Sequence, residues 1–160
     1  MSEAKTNAMR ELERAGIKYR HFTYDPTETE GVKVAALLGQ DETMVFKTLV
    51  TVSGKKVNYV FVIPVAETLD LKAAARAVGE KSVEMIKQKE LLPLTGYVHG
   101  GCSPIGMKKR FPTYIDESCN NFDSIVFSAG RIGRQVELSI ADLTRLTGAQ
   151  IAPLTKEEEC

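Results

Sequence analysis

Apolar positions recur at helical spacing near the start of the chain. Ala8, Met9, Leu12 and Ala15 form one stripe, which predicts a helix over residues 3–15 ended by Gly16. Residues 17–24 alternate loosely and are rich in aromatics, the pattern of a strand. A polar connection over 25–31 leads to a short helix over 32–38, stopped at Gly39. Residues 44–52 predict a strand, Ser53 and Gly54 a turn, and residues 57–63 the returning strand of a hairpin that Pro64 closes. That second strand is apolar almost throughout, which places it centrally in a sheet. Asp70 caps a helix with Leu71, Ala74, Ala75 and Val78 facing the core and Gly79 at its end. Residues 82–85 suit a short strand, and 86–91 a short helix broken by Pro93. Three more strands follow, over 113–115, 124–127 and 135–138. Ser139 caps the last helix, with Ile140, Leu143, Leu146 and Thr147 inward, Asp142 at the capping-box position and Gly148 as the stop. Many short strands with interspersed helices, and no regular βαβ repeat, predict a mixed α/β (α+β) fold with a partly closed sheet.

Length and composition narrow this further. The chain of 160 residues suits a single domain over 1–155, with 156–160 as a charged, frayed tail. Apolar residues make up 43% and the formal net charge is zero, so any contact with RNA must rest on a local patch. No apolar leader and no run of membrane-spanning length is evident, and the expectation is a cytoplasmic protein without a membrane or DNA partner. Cys102, Cys119 and Cys160 are an odd set without C-x-x-C spacing, and His21 and His99 are the only histidines. Neither a disulfide framework nor a metal site is expected, and no cofactor motif is present.

The stretch with the most chemical potential runs from Thr95 to Pro112. Gly100, Gly101, Ser103, Pro104 and Gly106 surround Cys102, and Lys108, Lys109 and Arg110 follow at once. Backbone amides of such a loop can converge on an oxygen or a phosphate beside the cations. A tight turn followed by a solvated basic edge explains the same composition. Lys47 lies within the 44–52 strand, where alternation puts it on one face with Val45 and Leu49. A half-buried ammonium there calls for a reason: it holds a phosphate or oxyanion, or it guards a sheet edge. Cys102 lies near His99, but no third group orients that histidine, and a packed thiol accounts for it better than a nucleophile. Tyr24, at a strand end, either stacks on a base or fills a rim. Asp116 is a proton acceptor or an Asx turn. Residues 128–134 form a second flexible basic loop, from which Arg131 and Arg134 could meet phosphates.

Several segments, in order and at matching spacing, carry a resemblance. They are Val45-Phe46-Lys47-Thr48-Leu49, Pro64-Val65 with Leu69-Asp70-Leu71, Thr95-Gly96-Tyr97, Gly100 to Gly106, Lys109 to Thr113, and Val136-Glu137-Leu138. Across residues 7–152 the chain resembles the YbaK/EbsC proteins, of the superfamily that includes the prolyl-tRNA synthetase editing domain. The resemblance implies a barrel-like mixed sheet with flanking helices. It also implies a deacylase acting on mischarged tRNA, most similar to the branch that clears Cys-tRNA(Pro), with aminoacylated tRNA and prolyl-tRNA synthetase as partners. Lys47 would then lie at the terminal adenosine and the ester. Tyr24, Gln135 and the loop residues Gly100, Gly101, Cys102, Ser103, Pro104 and Gly106 would line the aminoacyl pocket. Lys108, Lys109, Arg110, Arg131 and Arg134 would meet tRNA phosphates. Two departures stand out: the 25–32 loop is short and lacks an aromatic, and Gln135 replaces an aspartate. The family usually has an aliphatic residue at position 102. With no protein nucleophile evident, the implied mechanism is attack by the substrate cysteine's own thiol. Water-based hydrolysis of Ala-tRNA(Pro) and a noncatalytic tRNA-end or partner-binding module are the alternatives.

Overall fold

A computed structural model describes residues 5–156. The first helix, α1 (Asn7–Arg14), starts where Thr6 Oγ1 accepts the amide of Met9. It buries Ala8, Met9 and Leu12, but Ala15 is the exposed cap residue, so the stripe is one position shorter than the sequence spacing predicts. Strand β1 (Arg20–Thr23) occupies only the second half of the predicted strand. Helix α2 (Gly31–Leu37) leads into β2 (Phe46–Ser53) and β3 (Asn58–Pro64), which pair antiparallel with Lys47 opposite Ile63. Asp70 caps α3 (Leu71–Val78) by accepting the amides of Lys72 and Ala73. Of the expected core set on α3, Ala74 and Ala75 are buried and Val78 packs against the same cluster; Ala73 joins them, and only Leu71 is left in solvent.

Strand β4 (Val83–Met85) is followed by α4 (Gln88–Thr95), which starts later than predicted and continues through Pro93. Pro93 removes one bond of the ladder, that to the carbonyl of exposed Lys89, where water can replace it. The remaining elements are β5 (Thr113–Asp116), β6 (Ser124–Arg131), β7 (Arg134–Ser139), α5 (Ile140–Thr147) and β8 (Gln150–Ala152). Two expectations change here. Residues 128–134 are no loop: β6 and β7 form a hairpin that turns tightly at Ile132 and Gly133. Strand β8 was not anticipated; it adds to β5 in parallel register. Asp116 is structural, since Oδ1 accepts the amide of buried Leu154 and Oδ2 that of Ser118. Ser139 Oγ does accept the amide of Asp142, but the Asp142 carboxylate turns to Arg145 instead of closing the capping box. Of the predicted tail, only Lys156 lies within the described residues; Cys160 and the start of the predicted 3–15 helix lie outside them.

The strands make two sheets, ordered β4-β2-β3-β5-β8 and β1-β7-β6. β3 is central, as its apolar sequence requires: every residue from Tyr59 to Pro64 is buried. The main core, including Phe46, Val50, Val60, Val62, Ile125 and Phe127, is shared by both sheets with α1 and α5. A second cluster, of Tyr59, Phe61 and Ile63 with Ala74 and Ala75, fills the opposite face of β3 beneath α3. The sheets touch through a parallel bridge between Val45 and Val126. This partial closure makes the molecule barrel-like without making a closed barrel.

Candidate functional site

The Val45–Val126 bridge holds the start of β2 against β6, and β4 pairs with β2 only along Thr51–Ser53. Between these two contacts, residues 47–49 of β2 have no strand on that side among the described residues. A cleft of about 370 Å³ fills this gap. Its walls come from β2, from the β6–β7 sheet, from the start of α2 and from the loop after α4. Gly31 permits the α2 wall: a Cβ there would lie 2.5 Å from Val65 Cγ1.

Lys47 enters the cleft half-buried, as the strand alternation predicts. Burial lowers its pKa from the usual lysine value, and the charge of Glu67 partly opposes this. No carboxylate lies within ion-pair distance of Lys47 among the described residues. Its neighbour Thr48 also lines the cleft, and its buried Oγ1 has no hydrogen-bond partner. A buried hydroxyl without a partner is costly unless a ligand supplies one. Gln135 is buried in the wall, where its Oε1 accepts Gln40 Nε2 at 2.9 Å. Tyr24 is pinned at the rim by its amide, which donates to Gly133 O at 2.9 Å. Ser128, at the end of the straight part of β6, adds another hydroxyl, and Glu30 and His99 stand at the exposed edge. Among the described residues, no three metal-ligating side chains converge.

Cys102 borders the cleft but is only 7% exposed, and burial pushes its thiol up to about 12. At neutral pH it stays protonated and inert. Of the glycine-rich loop, only Gly100 and Cys102 reach the cleft; Gly101, Ser103, Pro104 and Gly106 do not line it. Residues 101–105 are buried, and the loop packs instead of forming an open cradle. A Cβ on Gly101 would lie 3.0 Å from Ile132 N, so glycine lets the loop press against the β6–β7 turn. Ser103 Oγ is used internally, by the amide of Ile105, and Tyr97 donates its hydroxyl to Ile105 O.

The basic run sits elsewhere. Lys108, Lys109 and Arg110 border a separate cleft of about 270 Å³ beside Pro104 and Gly106, sharing no lining residue with the first. Arg110 donates to Leu146 O at the end of α5, a helix-capping task. Arg131 is exposed in the hairpin turn. Arg134 is 7% exposed, its Nε toward His21 Nε2 and its Nη2 toward Met9 Sδ. That burial corrects the expectation that it meets phosphate. Lys47, Tyr24, Gln135, Gly100 and Cys102 are thus brought together, whereas the other expected residues lie apart from them. Sequence reasoning passed over Thr48 and Ser128 as site residues, although Thr48 follows Lys47 directly; what sets it apart is an unmet hydrogen bond, which sequence does not display.

Residues 26–146 match the model of the family described as "Aminoacyl-tRNA editing domain". The chain belongs to that family. The editing-domain match spans the cleft's main walls, from the α2 entry to β7. A relative from Enterococcus faecalis (strain ATCC 700802 / V583), named "Putative Cys-tRNA(Pro)/Cys-tRNA(Cys) deacylase EbsC", is 44% identical over 159 residues, covering 98% of this chain and 97% of the relative. Among solved structures, one described as "a putative trans-editing enzyme for prolyl tRNA synthetase" superposes with a TM-score of 0.84 at 27% identity. That match covers 97% of this chain and all of the other. A second, of "hypothetical protein APE2540", has a TM-score of 0.86 at 24% identity over 94% of this chain and 100% of the other, and shows the shared fold. The editing-domain fold, with the YbaK/EbsC resemblance, is therefore the chain's own. No helix among the described residues is long and apolar enough to cross a membrane.

Proposed function

We propose that the chain is a cytoplasmic trans-editing deacylase that removes cysteine from mischarged Cys-tRNA(Pro), with its residues acting as one editing domain. The observation that carries this reading is what the cleft contains. Among the described residues it holds a half-buried ammonium without an ion-pair partner, an unmet hydroxyl and a fixed amide, and no activated nucleophile. Membership of the editing-domain family and the 44% identity to the Enterococcus protein support the substrate class.

Such a cleft can orient an ester and stabilise charge without attacking it. The substrate brings the nucleophile. The cysteinyl thiolate attacks its own ester carbonyl, forming a C–S bond as the bond from the carbonyl carbon to the ribose oxygen breaks. The proton given up by the thiol ends on that ribose oxygen. The products are uncharged tRNA and a four-membered thiolactone, which water later opens. Lys47 is the candidate catalytic residue: its ammonium faces the developing oxyanion and the terminal nucleotide. Thr48 Oγ1, Ser128 and Gln135 supply hydrogen bonds that fix the aminoacyl group. Alanyl and prolyl esters survive because they have no thiol. The cleft need not discriminate by a single methylene, a difference worth only about 1–3 kcal/mol. Selection of the tRNA then falls to a partner such as prolyl-tRNA synthetase.

A deacylation matrix tests this: Cys-, Ala- and Ser-esters on tRNA(Pro) and tRNA(Cys), with and without prolyl-tRNA synthetase. We expect loss of cysteine from both tRNAs by the isolated protein, and restriction to tRNA(Pro) in the presence of the synthetase. Faster loss of alanine than of cysteine overturns the reading in favour of water-based hydrolysis. Binding of tRNA with no loss of any amino acid overturns it in favour of a noncatalytic module.

A further inference from the structure

Lys47 lines two clefts. Besides the one described above, it borders a broader depression of about 770 Å³ on the face of the five-stranded sheet that carries the second core cluster. Strand geometry explains why Lys47 and its neighbour Leu49 line both. Lys47 and Leu49 point to one face of β2, and Met85, opposite Thr51 on β4, points to the same face. Helix α3 covers that face over Tyr59 and Phe61 but stops short of Lys47, and its first residues, Leu71 and Lys72, form the far rim. The floor is apolar and open: Leu71 is 39% exposed and Met85 44%. The rim carries Lys47, Lys72 and Lys156. Asp70 is the one carboxylate in this lining among the described residues, and it is already engaged by the amides of Lys72 and Ala73. Leu71, expected in the core, lines this depression instead.

We propose that this second cleft binds the single-stranded 3′ end of the RNA, the nucleotides that precede the esterified one. The proposal rests on the deacylase reading above. An aminoacyl ester of RNA has two unlike parts, a small polar acyl group and a polyanionic strand with flat bases. Two clefts meeting at one lysine match that division. The first encloses the acyl group. The second offers cations for phosphates and exposed Leu71 and Met85 as apolar surface for a base face. The Lys108–Arg110 run shares no lining residue with either cleft; it opens on a separate one and is left to meet the paired stem.

The test uses a short, 5′-labelled single-stranded RNA ending in CCA, titrated with the full chain by fluorescence anisotropy at several salt concentrations. The variants are Lys72→Glu, Lys72→Glu combined with Lys156→Glu, and Lys109→Glu as a control in the other cleft. Glu157 to Glu159 follow Lys156 in sequence, which is why Lys72→Glu is also measured alone. We expect Lys72→Glu to weaken binding severalfold and the pair to weaken it about tenfold or more. The salt slope of the pair should flatten by about 1.4, that is about 0.7 per lost single-strand phosphate contact. Lys109→Glu should bind this RNA as the parent does. With cysteinyl-tRNA the pair should raise KM and leave kcat nearly unchanged. Unchanged affinity and slope in the pair, or an equal loss in Lys109→Glu, overturns the proposal. RNA binding that depends on Lys72 in a protein that cleaves no ester upholds this cleft while overturning the deacylase reading.

Discussion

Whether the nucleophile belongs to the protein or to the substrate turns on Cys102. Its thiol borders the cleft, but burial pushes its pKa up to about 12 from 9.0, against a small lowering by the Thr95 hydrogen bond. At pH 7 the thiolate fraction is then on the order of 10⁻⁵, against about 10⁻² for an ordinary thiol, so reactivity should fall by roughly 10³. Alkylation with iodoacetamide at pH 7, read by mass at the Cys102 peptide, should proceed about a thousandfold more slowly than with free cysteine. Cys119, also buried and raised to about 11, should be nearly as resistant. Cys102→Ala deletes one buried heavy atom and should cost about 1 kcal/mol, or roughly 2–4 °C in Tm, with deacylation within about threefold of the parent. The same raised pKa has a stability signature. Between about pH 9 and 12 the unfolded thiol has lost its proton and the folded one has kept it, so stability falls as pH rises through that window. The reasoning is refuted if Cys102 alkylates at an ordinary rate and substrate protects it. Loss of two orders of magnitude in activity by a folded Cys102→Ala protein would refute it equally.

Lys47→Ala should lower kcat/KM for cysteinyl-tRNA by about 10² or more, the scale of removing one preorganised electrostatic group; near-normal turnover in a folded variant sinks its role. Because the Lys47 pKa is lowered by burial, the folded protein binds fewer protons than the unfolded one between that value and 10.5. Its contribution to stability therefore rises with pH across that interval and offsets part of the fall due to the buried thiols, so stability should fall more steeply at alkaline pH in Lys47→Met than in the parent, read by denaturant titration. Thr48→Val removes the unmet hydroxyl and should stabilise the free protein by about 1 kcal/mol while lowering kcat/KM about tenfold; a loss of stability in thermal melts would mean that the hydroxyl is satisfied in the free protein. Gly101→Ala forces a Cβ to 3.0 Å from Ile132 N and should cost about 1–3 kcal/mol, seen as a Tm lowered by roughly 2–10 °C; an unchanged Tm would show that the loop does not press on the hairpin.

Elements whose cause is local were legible in the sequence. Asp70 and Ser139 cap the helices they precede, and Gly79 and Gly148 end them with left-handed backbone. The unbroken apolar run of β3 marked it as central, and simple alternation put Lys47 on a half-buried face. What was not legible depends on distant partners. Gln150–Ala152 has no strand pattern of its own and is extended because β5 offers it a parallel edge. The glycines and arginines of residues 128–134 have loop composition, yet the segment pairs as a hairpin, with Gly130 making room for the Tyr97 ring and Arg134 drawn inward toward Met9. The glycine-rich loop had the composition of an oxygen cradle, but the close approach of the hairpin turn leaves it packed and buried. Spacing also could not say that the basic run and the lysine of β2 open on different clefts.

Substrate-supplied attack leads to one further expectation that separates it from any hydrolytic route. Among the described residues that line the cleft, the carboxylate and imidazole that could activate water are the exposed Glu30 and His99 at its edge, and on the proposed route the barrier is lowered instead by placing an internal nucleophile near the carbonyl under the Lys47 charge. Methylation of the cysteinyl sulfur adds one carbon, a change that costs a pocket no more than about 1–3 kcal/mol of binding, but it removes the nucleophile completely. S-methylcysteinyl-tRNA should therefore bind in competition with cysteinyl-tRNA and remain uncleaved. A homocysteinyl ester, also one methylene larger but with a free thiol that closes an easier five-membered ring, should be cleaved. Both analogues carry the same steric increment, so a pocket that merely rejects larger side chains would spare both. A water-based deacylase that tolerates the increment would cleave both. Loss of the S-methyl ester at a rate near that of cysteine would therefore refute substrate-thiol attack.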